Sequence, residues 1–480
     1  MTERPPTILW FRQDLRLSDH PAFRAACSDD GRVLPVFILD EDDPWAPGGS
    51  SRWWLHHSLA ALAKAITSAG GKLLFFQGKT LDVLRGLCEE TGATRVCCSR
   101  RYEPWHSEQE QTLHRELEAQ DVSFKRYPGT LLHEPGSVLT NEDKPYRVFS
   151  PFWRACLKRD VAPPQSTPDC RWFAHKGGLE IDELGLLPQD PNWAEAWDER
   201  WTPGEDGARQ RLADFLDDTV AGYAGNRDKP GVGGTSRLSP HIHFGELSPR
   251  QIWAQSQARL AAEGKLTKDI EKFQAELGWR DFSYQLLHFF PDITEKPFNK
   301  RFSAFPWADS PDELKAWQKG MTGYPIVDAG MRELWQTGHM HNRVRMIVAS
   351  FLCKHLRIHW HHGANWFWDT LVDADLASNS CSWQWVAGSG ADAAPYFRIF
   401  NPMTQGEKFD KAGDYVRRWV PEIKALPDKH LHTPWEAPQK VLSDAGVKLG
   451  SDYPLPMVDH REARQAALDA YEAVKSAASA

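Results

Sequence analysis

Along roughly the first 130 residues, short apolar runs alternate with amphipathic stretches of helical length. The runs fall at 7–11, 33–39, 72–76, 95–98 and 123–127. Between the second and third, Trp54, Leu55, Leu59, Leu62 and Ile66 recur at helical spacing within 51–69. Strands alternating with helices predict a parallel α/β sheet of Rossmann-like or flavodoxin-like form. Phe11-Arg12-Gln13-Asp14 follows the first strand where a dinucleotide fold places glycines, so no Rossmann cofactor is expected there.

From Leu132 to Thr202 the pattern breaks into prolines, polar runs and scattered aromatics, which reads as a connector in which Ser150-Pro151 caps one short helix. Beyond Thr202 the strand signal disappears. Helical periodicity takes over at 207–223, 248–263, 268–290 and 328–356. The expected division is an α/β domain over 1–131, a connector over 132–202 and an all-helical domain over 203–480. There is no internal repeat, and low complexity is confined to the Ala- and Ser-rich tail after Tyr471.

A chain of 480 residues agrees with two domains. It starts without an apolar run, and no segment reaches the roughly 18 apolar residues of a membrane span. A cytosolic protein with no membrane partner is expected. The eight cysteines form no C-x-x-C pair and no zinc spacing, which points to reduced thiols and no metal. A net charge of -8 means that any nucleic-acid binding must use a local patch. Residues 331–362 supply one candidate, with Arg332, Arg343, Arg345, Lys354, Arg357 and six histidines against Glu333. The same run also reads as a solvated helix face. Twenty-two tryptophans are more than core filling explains, so stacking on planar ligands or electron transfer enters the picture.

Four motifs carry chemistry. Gly231-Val-Gly-Gly-Thr-Ser-Arg-Leu-Ser239 has no Walker lysine and is not G-x-G-x-x-G. Its glycines, hydroxyls and Arg237 suit a diphosphate, or a loop that simply enters a helix. In Phe273-Gln-Ala-Glu-Leu-Gly-Trp-Arg-Asp281, Glu276, Trp279 and Arg280 share one helical face. They suit a base-binding surface, or an exposed ion pair beside a packed indole. In His341-Asn-Arg-Val-Arg-Met346, Asn342 and Met346 lie at i and i+4, while Arg343 and Arg345 point to different faces. One arginine can meet phosphate, and an inward Arg345 needs a carboxylate that Asp373 or Asp375 can supply. The fourth runs from Leu371-Val-Asp-Ala-Asp375 through Asn379, Trp383 and Trp385 to Asp392-Ala-Ala-Pro-Tyr-Phe-Arg-Ile-Phe-Asn-Pro402. It lacks metal-ligand spacing and fits an aromatic ligand.

These motifs, in this order, together with Gly406-Glu-Lys-Phe-Asp410, resemble the photolyase and cryptochrome family over nearly the whole chain. The resemblance implies an antenna domain, a connector and a helical domain holding FAD. It implies that Tyr223, Thr235, Ser236, Arg237, Leu238, Ser239 and Phe273 line the FAD site. It further implies that Arg345 pairs with Asp373 beside the flavin ring, that Asp375 lies near its pyrimidine edge with Ala374 also in the cofactor site, and that Asn379 faces flavin N5. A neutral amide bonds N5 without adding charge. Trp383, Trp360 and Trp307 match the family's electron relay, with Trp366 and Trp368 as candidates for a side branch.

Within the family, Glu276, Trp279, Asn342, Arg343, Met346 and Trp385 match the site for cyclobutane pyrimidine dimers in DNA, with Gln405 a further contact. The dimer pairs weakly, which lowers the cost of flipping it out, and Glu276 then stabilises its radical anion. The resemblance therefore implies light-driven repair by a carbon–carbon lyase; the alternative is a blue-light photoreceptor with FAD and no repair. Ser239-Pro-His-Ile-His-Phe-Gly-Glu-Leu247 and Met331-Arg-Glu-Leu-Trp335 look closer to plant cryptochromes, a mixture that resembles class III bacterial photolyases. That class implies a 5,10-methenyltetrahydrofolate antenna, with the loop over 40–45 in a suitable place; a deazaflavin is the alternative. A monomer without an obligatory protein partner is expected, in the bacterial cytosol and on the nucleoid when bound to damaged DNA.

Overall fold

The computed structural model describes residues 4–28, 31–393 and 397–477. Residues 394–396 of the fourth motif and the end of the Ala- and Ser-rich tail lie outside them. The chain divides into two compact units. One comprises Met1–Ala221, Ser236–Pro291 and Val372–Asp375, and the other Gly222–Thr235, Asp292–Leu371 and Leu376–Ala480.

The first unit is built on strands β1 (Thr7–Phe11), β2 (Arg32–Leu39), β3 (Leu74–Gln77), β4 (Arg95–Ser99) and β5 (Ser123–Tyr127). They run parallel in the order β3-β2-β1-β4-β5, with Thr7 opposite Val33 on one side and Arg95 on the other. Crossover helices α1 (Pro21–Ala26), α2 (Gly49–Ser68), α3 (Thr80–Thr91) and α4 (Pro104–Glu118) cover both faces. This is why the central strands read as unbroken apolar runs. Alternate residues of β1 enter opposite cores. Leu9 and Phe11 pack with Trp53, Trp54 and Leu59, while Ile8 and Trp10 pack with Leu84, Leu113 and Leu117.

The turn after β1 shows why arginine and aspartate stand where glycines were absent. Arg12 pairs with Glu110 and donates to Ser99 O at 3.3 Å. Asp14 accepts from Arg12 N at 2.7 Å and faces His20 at 3.0 Å. Burial alone would raise the Asp14 carboxyl, but His20, Ser99 and the Arg12 N–H hold it well below its ordinary value. Gly245 closes over this turn with φ +66°, and a Cβ there would lie 2.2 Å from Gln13 O.

In the connector the short helix α5 (Phe149–Cys156) begins before Ser150-Pro151, with Val148 as its uncapped N-cap, so the expected capping role is not what these residues do. Pro151 sits in the first turn, where the missing N–H costs nothing. A two-residue strand, β6 (Arg171–Trp172), adds parallel to β2. The unit continues with α6 (Glu205–Asp214). The chain then passes through α7 (Tyr223–Asn226), which is counted with the second unit, and returns for α8 (Ser239–His243), α9 (Pro249–Ala262) and α10 (Thr267–Phe289).

The second unit is helical, with α11 (Pro311–Gln318), α12 (Pro325–Thr337), α13 (Asn342–Ser350), α14 (Trp360–Thr370), α15 (Leu376–Ala387), α16 (Pro402–Phe409) and α17 (Asp414–Trp419), followed by shorter pieces and a last helix, His460–Ala477. The periodic span 328–356 is broken where one helix was expected. Gly338 ends α12 with φ +66° and His341 caps α13, its Nδ1 accepting from Arg343 N. Gly330 lets the two helices meet, since a Cβ there would lie 2.4 Å from Val344 Cγ1. Among the described residues no helix is long and apolar enough to cross a membrane.

Candidate cofactor and substrate site

In the first unit the candidate residues gather on α10 and on residues 372–375. Phe273 is buried against Phe215. Glu276 and Trp279 are half-buried, three residues apart on one face. The Trp279 ring stacks on Phe149 at 3.7 Å and 8°, with Phe282 edge-on at 5.9 Å. One turn of helix therefore presents a carboxyl beside an indole that packing holds in place.

Arg280 turns away from Glu276 toward Asp375. Its Nη1 donates to Asp375 Oδ2 at 2.9 Å, and Tyr284 OH donates to the same oxygen at 2.7 Å. Burial opposes the charge on Arg280, but Tyr284 and Asp375 hold the guanidinium above its ordinary pKa. Burial and then the Asp375 charge raise the Tyr284 phenol. Asp373 and Ala374 are buried beside Asp375. Arg280 Nε and His243 Nδ1, the latter 3.6 Å from Asp375, are buried without a hydrogen-bond partner among the described residues. In the loop leading to α8, Arg237 adopts φ +52°, an uncommon conformation for a side-chain-bearing residue. Ser236 Oγ accepts from Leu238 N at 3.4 Å, Leu238 is buried, and Ser239 opens α8.

In the second unit, Tyr223 is buried at the start of α7 with Arg227 over its ring. The glycine loop leading to Thr235 has mixed roles. Gly233 has no atom within 4 Å of a Cβ, whereas Gly234 passes 3.0 Å from the Asn226 Cβ. On α13, Asn342 is exposed and Met346 half-buried one turn later. Arg343 pairs with Asp228 at 3.0 Å and lies over the Phe409 ring at 4.5 Å. Arg345 Nε donates to Met340 O at 2.7 Å.

The surrounding basic run is less cationic than its sequence suggests. Arg332 donates to both oxygens of Glu422, at 2.7 and 2.8 Å. Burial pushes His341 down to about 4, and pushes Lys354 down to about 7. Lys354 donates to Arg398 O and lies 4.4 Å from the Phe397 ring.

The aromatic positions are ordered. Trp383 is buried between Phe367 at 5.0 Å and Trp317 at 6.3 Å. Its six-membered ring lies on Gly363, three residues after Trp360 and on the same face of α14. Trp360 and the half-buried Trp307 share His359 as neighbour, at 5.7 and 4.9 Å. Trp366 stacks on Trp335 at 5.8 Å. Asn379 Nδ2 donates to Ala364 O at 3.0 Å, which fixes the amide. Trp385 Nε1 donates to Asp392 O at 3.0 Å. Gln405 is half-buried on α16.

The family described as "DNA photolyase" matches residues 7–169, and that described as "FAD binding domain of DNA photolyase" matches residues 273–473. The deoxyribodipyrimidine photo-lyase of Agrobacterium fabrum is 50% identical over 473 residues, covering 98% of each chain. The chain belongs to the DNA photolyase and cryptochrome family. Cryptochrome-2 of Arabidopsis thaliana is more distant within it, 38% identical over 96% of this chain and 77% of its own length. A solved bacterial class III photolyase from Agrobacterium tumefaciens superposes with a TM-score of 0.96 at 49% identity, covering 99% of each chain. This photolyase-family protein has the photolyase fold, a parallel-sheet N-terminal domain with a helical FAD-binding domain.

The residues present fit FAD. In the first unit the buried Arg280 Nε and His243 Nδ1, without a hydrogen-bond partner among the described residues, leave polar capacity of the kind a bound cofactor uses, and the FAD-binding domain match covers 273–473. Sequence reasoning missed Phe149, His359 and Gly363 as supports. Only the i, i+3, i+4 aromatic spacing of Phe149, Phe152 and Trp153 could have flagged the first.

Proposed function

We propose that this protein repairs cyclobutane pyrimidine dimers in DNA with light, as a deoxyribodipyrimidine photo-lyase. The observation that carries the reading is the pairing of half-buried Glu276 with Trp279, an indole held rigid by Phe149. A packed aromatic beside a hydrogen-bonding carboxyl suits a base that has left the duplex stack. The identity with the Agrobacterium photolyase supports it.

FAD, held by this chain's residues, would supply photochemical one-electron transfer to the dimer and act as the acceptor for its return. The chain's own residues bind, orient and exclude. In the proposed assignment Tyr223, Thr235, Ser236, Arg237, Leu238, Ser239 and Phe273 hold the diphosphate and ribityl chain. Arg345 with Asp373, and Ala374 and Asp375, frame the ring, while Asn379 offers its fixed amide to N5. Trp279 and Trp385 cradle the dimer, Glu276 stabilises its negative charge, and Asn342, Arg343, Met346 and Gln405 complete the DNA contacts. Trp307, Trp360 and Trp383 relay electrons that keep the flavin reduced; the shared neighbour His359 of Trp307 and Trp360, and the seat of Trp383 on Gly363 one turn after Trp360, support that order.

The proposed domain division is an antenna domain over 1–131, a connector over 132–202 and a catalytic domain over 203–480. For the antenna we propose methenyltetrahydrofolate near residues 40–45, with a deazaflavin as alternative. That loop is well braced, since Asp40 accepts from Gln109 at 2.6 Å and Asp43 pairs with His106 at 3.2 Å. The spectrum of chromophores released from the purified protein decides between them. We also propose a monomer acting in the cytosol.

Glu276→Ala tests the site. It is expected to lower repair by on the order of tenfold or more while bound FAD is unchanged. Undiminished repair would remove Glu276 from the mechanism. A second reading, a light receptor without repair, is favoured by the 38% identity to Cryptochrome-2 and predicts no loss of dimers under light.

A further inference from the structure

The basic run over 331–362 spends much of its charge internally, on Glu422, Asp228 and the Met340 carbonyl. In a chain of net charge -8, uncommitted positive charge must then be sought elsewhere. Exposed positive charge gathers on residues 144–159 of the first unit, which carry Lys144, Arg147, Arg154, Lys158 and Arg159 between the acids Glu142, Asp143 and Asp160. Lys144 shares its charge with Glu142 at 2.8 Å, and Arg147 lies 5.1 Å from the Phe290 ring centre. Arg154, Lys158 and Arg159 have no carboxylate partner among the described residues.

The packing of α5 fixes where these charges stand. Its inner face is clamped to α10: Phe149 stacks on Trp279 at 3.7 Å, and Phe152 meets Phe282 at 5.4 Å. Trp153 lies over Gly278, where a Cβ would come within 2.3 Å of the indole. On the opposite side the helix itself carries Ser150 and Arg154, with Arg147 just before it and Lys158 and Arg159 in the turn just after it. A helix of 8 residues is about 12 Å long, the axial rise of three to four phosphates of one DNA strand. At its N-terminal end, Tyr146, Arg147, Phe289, Phe290 and the paired Lys144 and Glu142 line a surface groove whose aromatic rings and arginine suit single-stranded nucleic acid.

We infer that the outward face of α5 is a phosphate track that holds the DNA strand flanking the flipped dimer. The inference rests on the repair reading, because it places the track on the helix that backs Trp279. It assigns a DNA role to the connector, beyond the substrate residues on α10, α13 and α15. Sequence specificity is not expected from it, since phosphate contacts position and do not read.

The test is the salt dependence of binding to a duplex bearing one dimer, for the wild type, the triple variant Arg154→Gln/Lys158→Gln/Arg159→Gln, and Lys475→Gln on the last helix as a control. Each cation that meets a phosphate contributes a slope of about 0.9 in log K against log salt. The triple variant is expected to lose about 2–3 from the slope and to bind more weakly near 0.15 M salt, by about 30-fold for two engaged cations and on the order of a hundredfold for three. Repair per bound dimer at saturating enzyme stays at the wild-type level, and Lys475→Gln binds as wild type. A triple variant with wild-type slope and affinity, measured on a wild type that repairs dimers, overturns the track alone. A wild type that binds DNA but leaves dimers intact under light overturns the repair reading instead.

Discussion

The contact between Gly363 and Trp383 makes the relay sensitive to one methyl group. A Cβ on Gly363 would lie 2.1, 2.5 and 2.6 Å from three carbons of the Trp383 ring, against ordinary carbon contacts of about 3.5–4.0 Å. The ring must retreat by roughly 1 Å or more, and it is hemmed in by Phe367 and Trp317. Overpacking of this kind costs about 1–3 kcal/mol, offset by about 1 kcal/mol from replacing glycine inside a helix. Gly363→Ala is therefore expected to destabilise by up to about 2 kcal/mol and lower the thermal midpoint by up to about 4 °C. Gly86→Ala in α3 is the matched control: no atom lies within 4 Å of its Cβ, so the same substitution should raise the midpoint by about 1–4 °C. The second readout is the rate at which bound oxidised flavin photoreduces with an external reductant, expected to fall for Gly363→Ala and to hold for Gly86→Ala. A Gly363→Ala protein that melts at or above the wild type and photoreduces at its rate would refute the packing argument.

Other outcomes follow from buried charge. Arg280→Met leaves the buried Asp375 carboxylate without its cation and is expected to cost about 3–5 kcal/mol in urea unfolding, with Arg280→Lys costing less. Lys354 has a folded pKa of about 7, so the unfolded chain binds its proton more tightly between about pH 7 and the ordinary lysine value. Stability should therefore rise with pH across that window, by on the order of 4 kcal/mol at most, and the full penalty should stand below pH 7. Lys354→Met should be more stable than wild type at pH 7 and flat above it; a wild type whose urea midpoint does not rise toward pH 9.5 contradicts this.

Much of the fold was legible because it rests on local period. The strand at 7–11 stands where the apolar run put it, since a parallel strand buried on both faces leaves an unbroken signature, and the edge strand at 123–127 is found with only Phe124 buried. The break at Gly338 was not legible, because hydrophobic spacing continues through 328–356 while the stop lies in a left-handed glycine and in Glu333, which accepts from His341 N and Tyr415 OH. The candidate residues were legible through the family motifs. Their partners were not: Phe149 is 130 positions from Trp279 and Asp228 is 115 from Arg343, and no spacing rule links residues that only folding brings together. The pairing of Arg332 with Glu422 and of Arg343 with Asp228 was not legible for the same reason, since a run of arginines in sequence says nothing of the carboxylates that meet it.

The central claim is repair. Reduced, FAD-bound protein mixed with an oligonucleotide carrying one cyclobutane dimer should restore the two pyrimidines under blue light and leave the dimer intact in the dark. Dimers that persist equally in light and dark, in a protein with its FAD bound and reduced, would contradict the account and leave a flavin light receptor in its place.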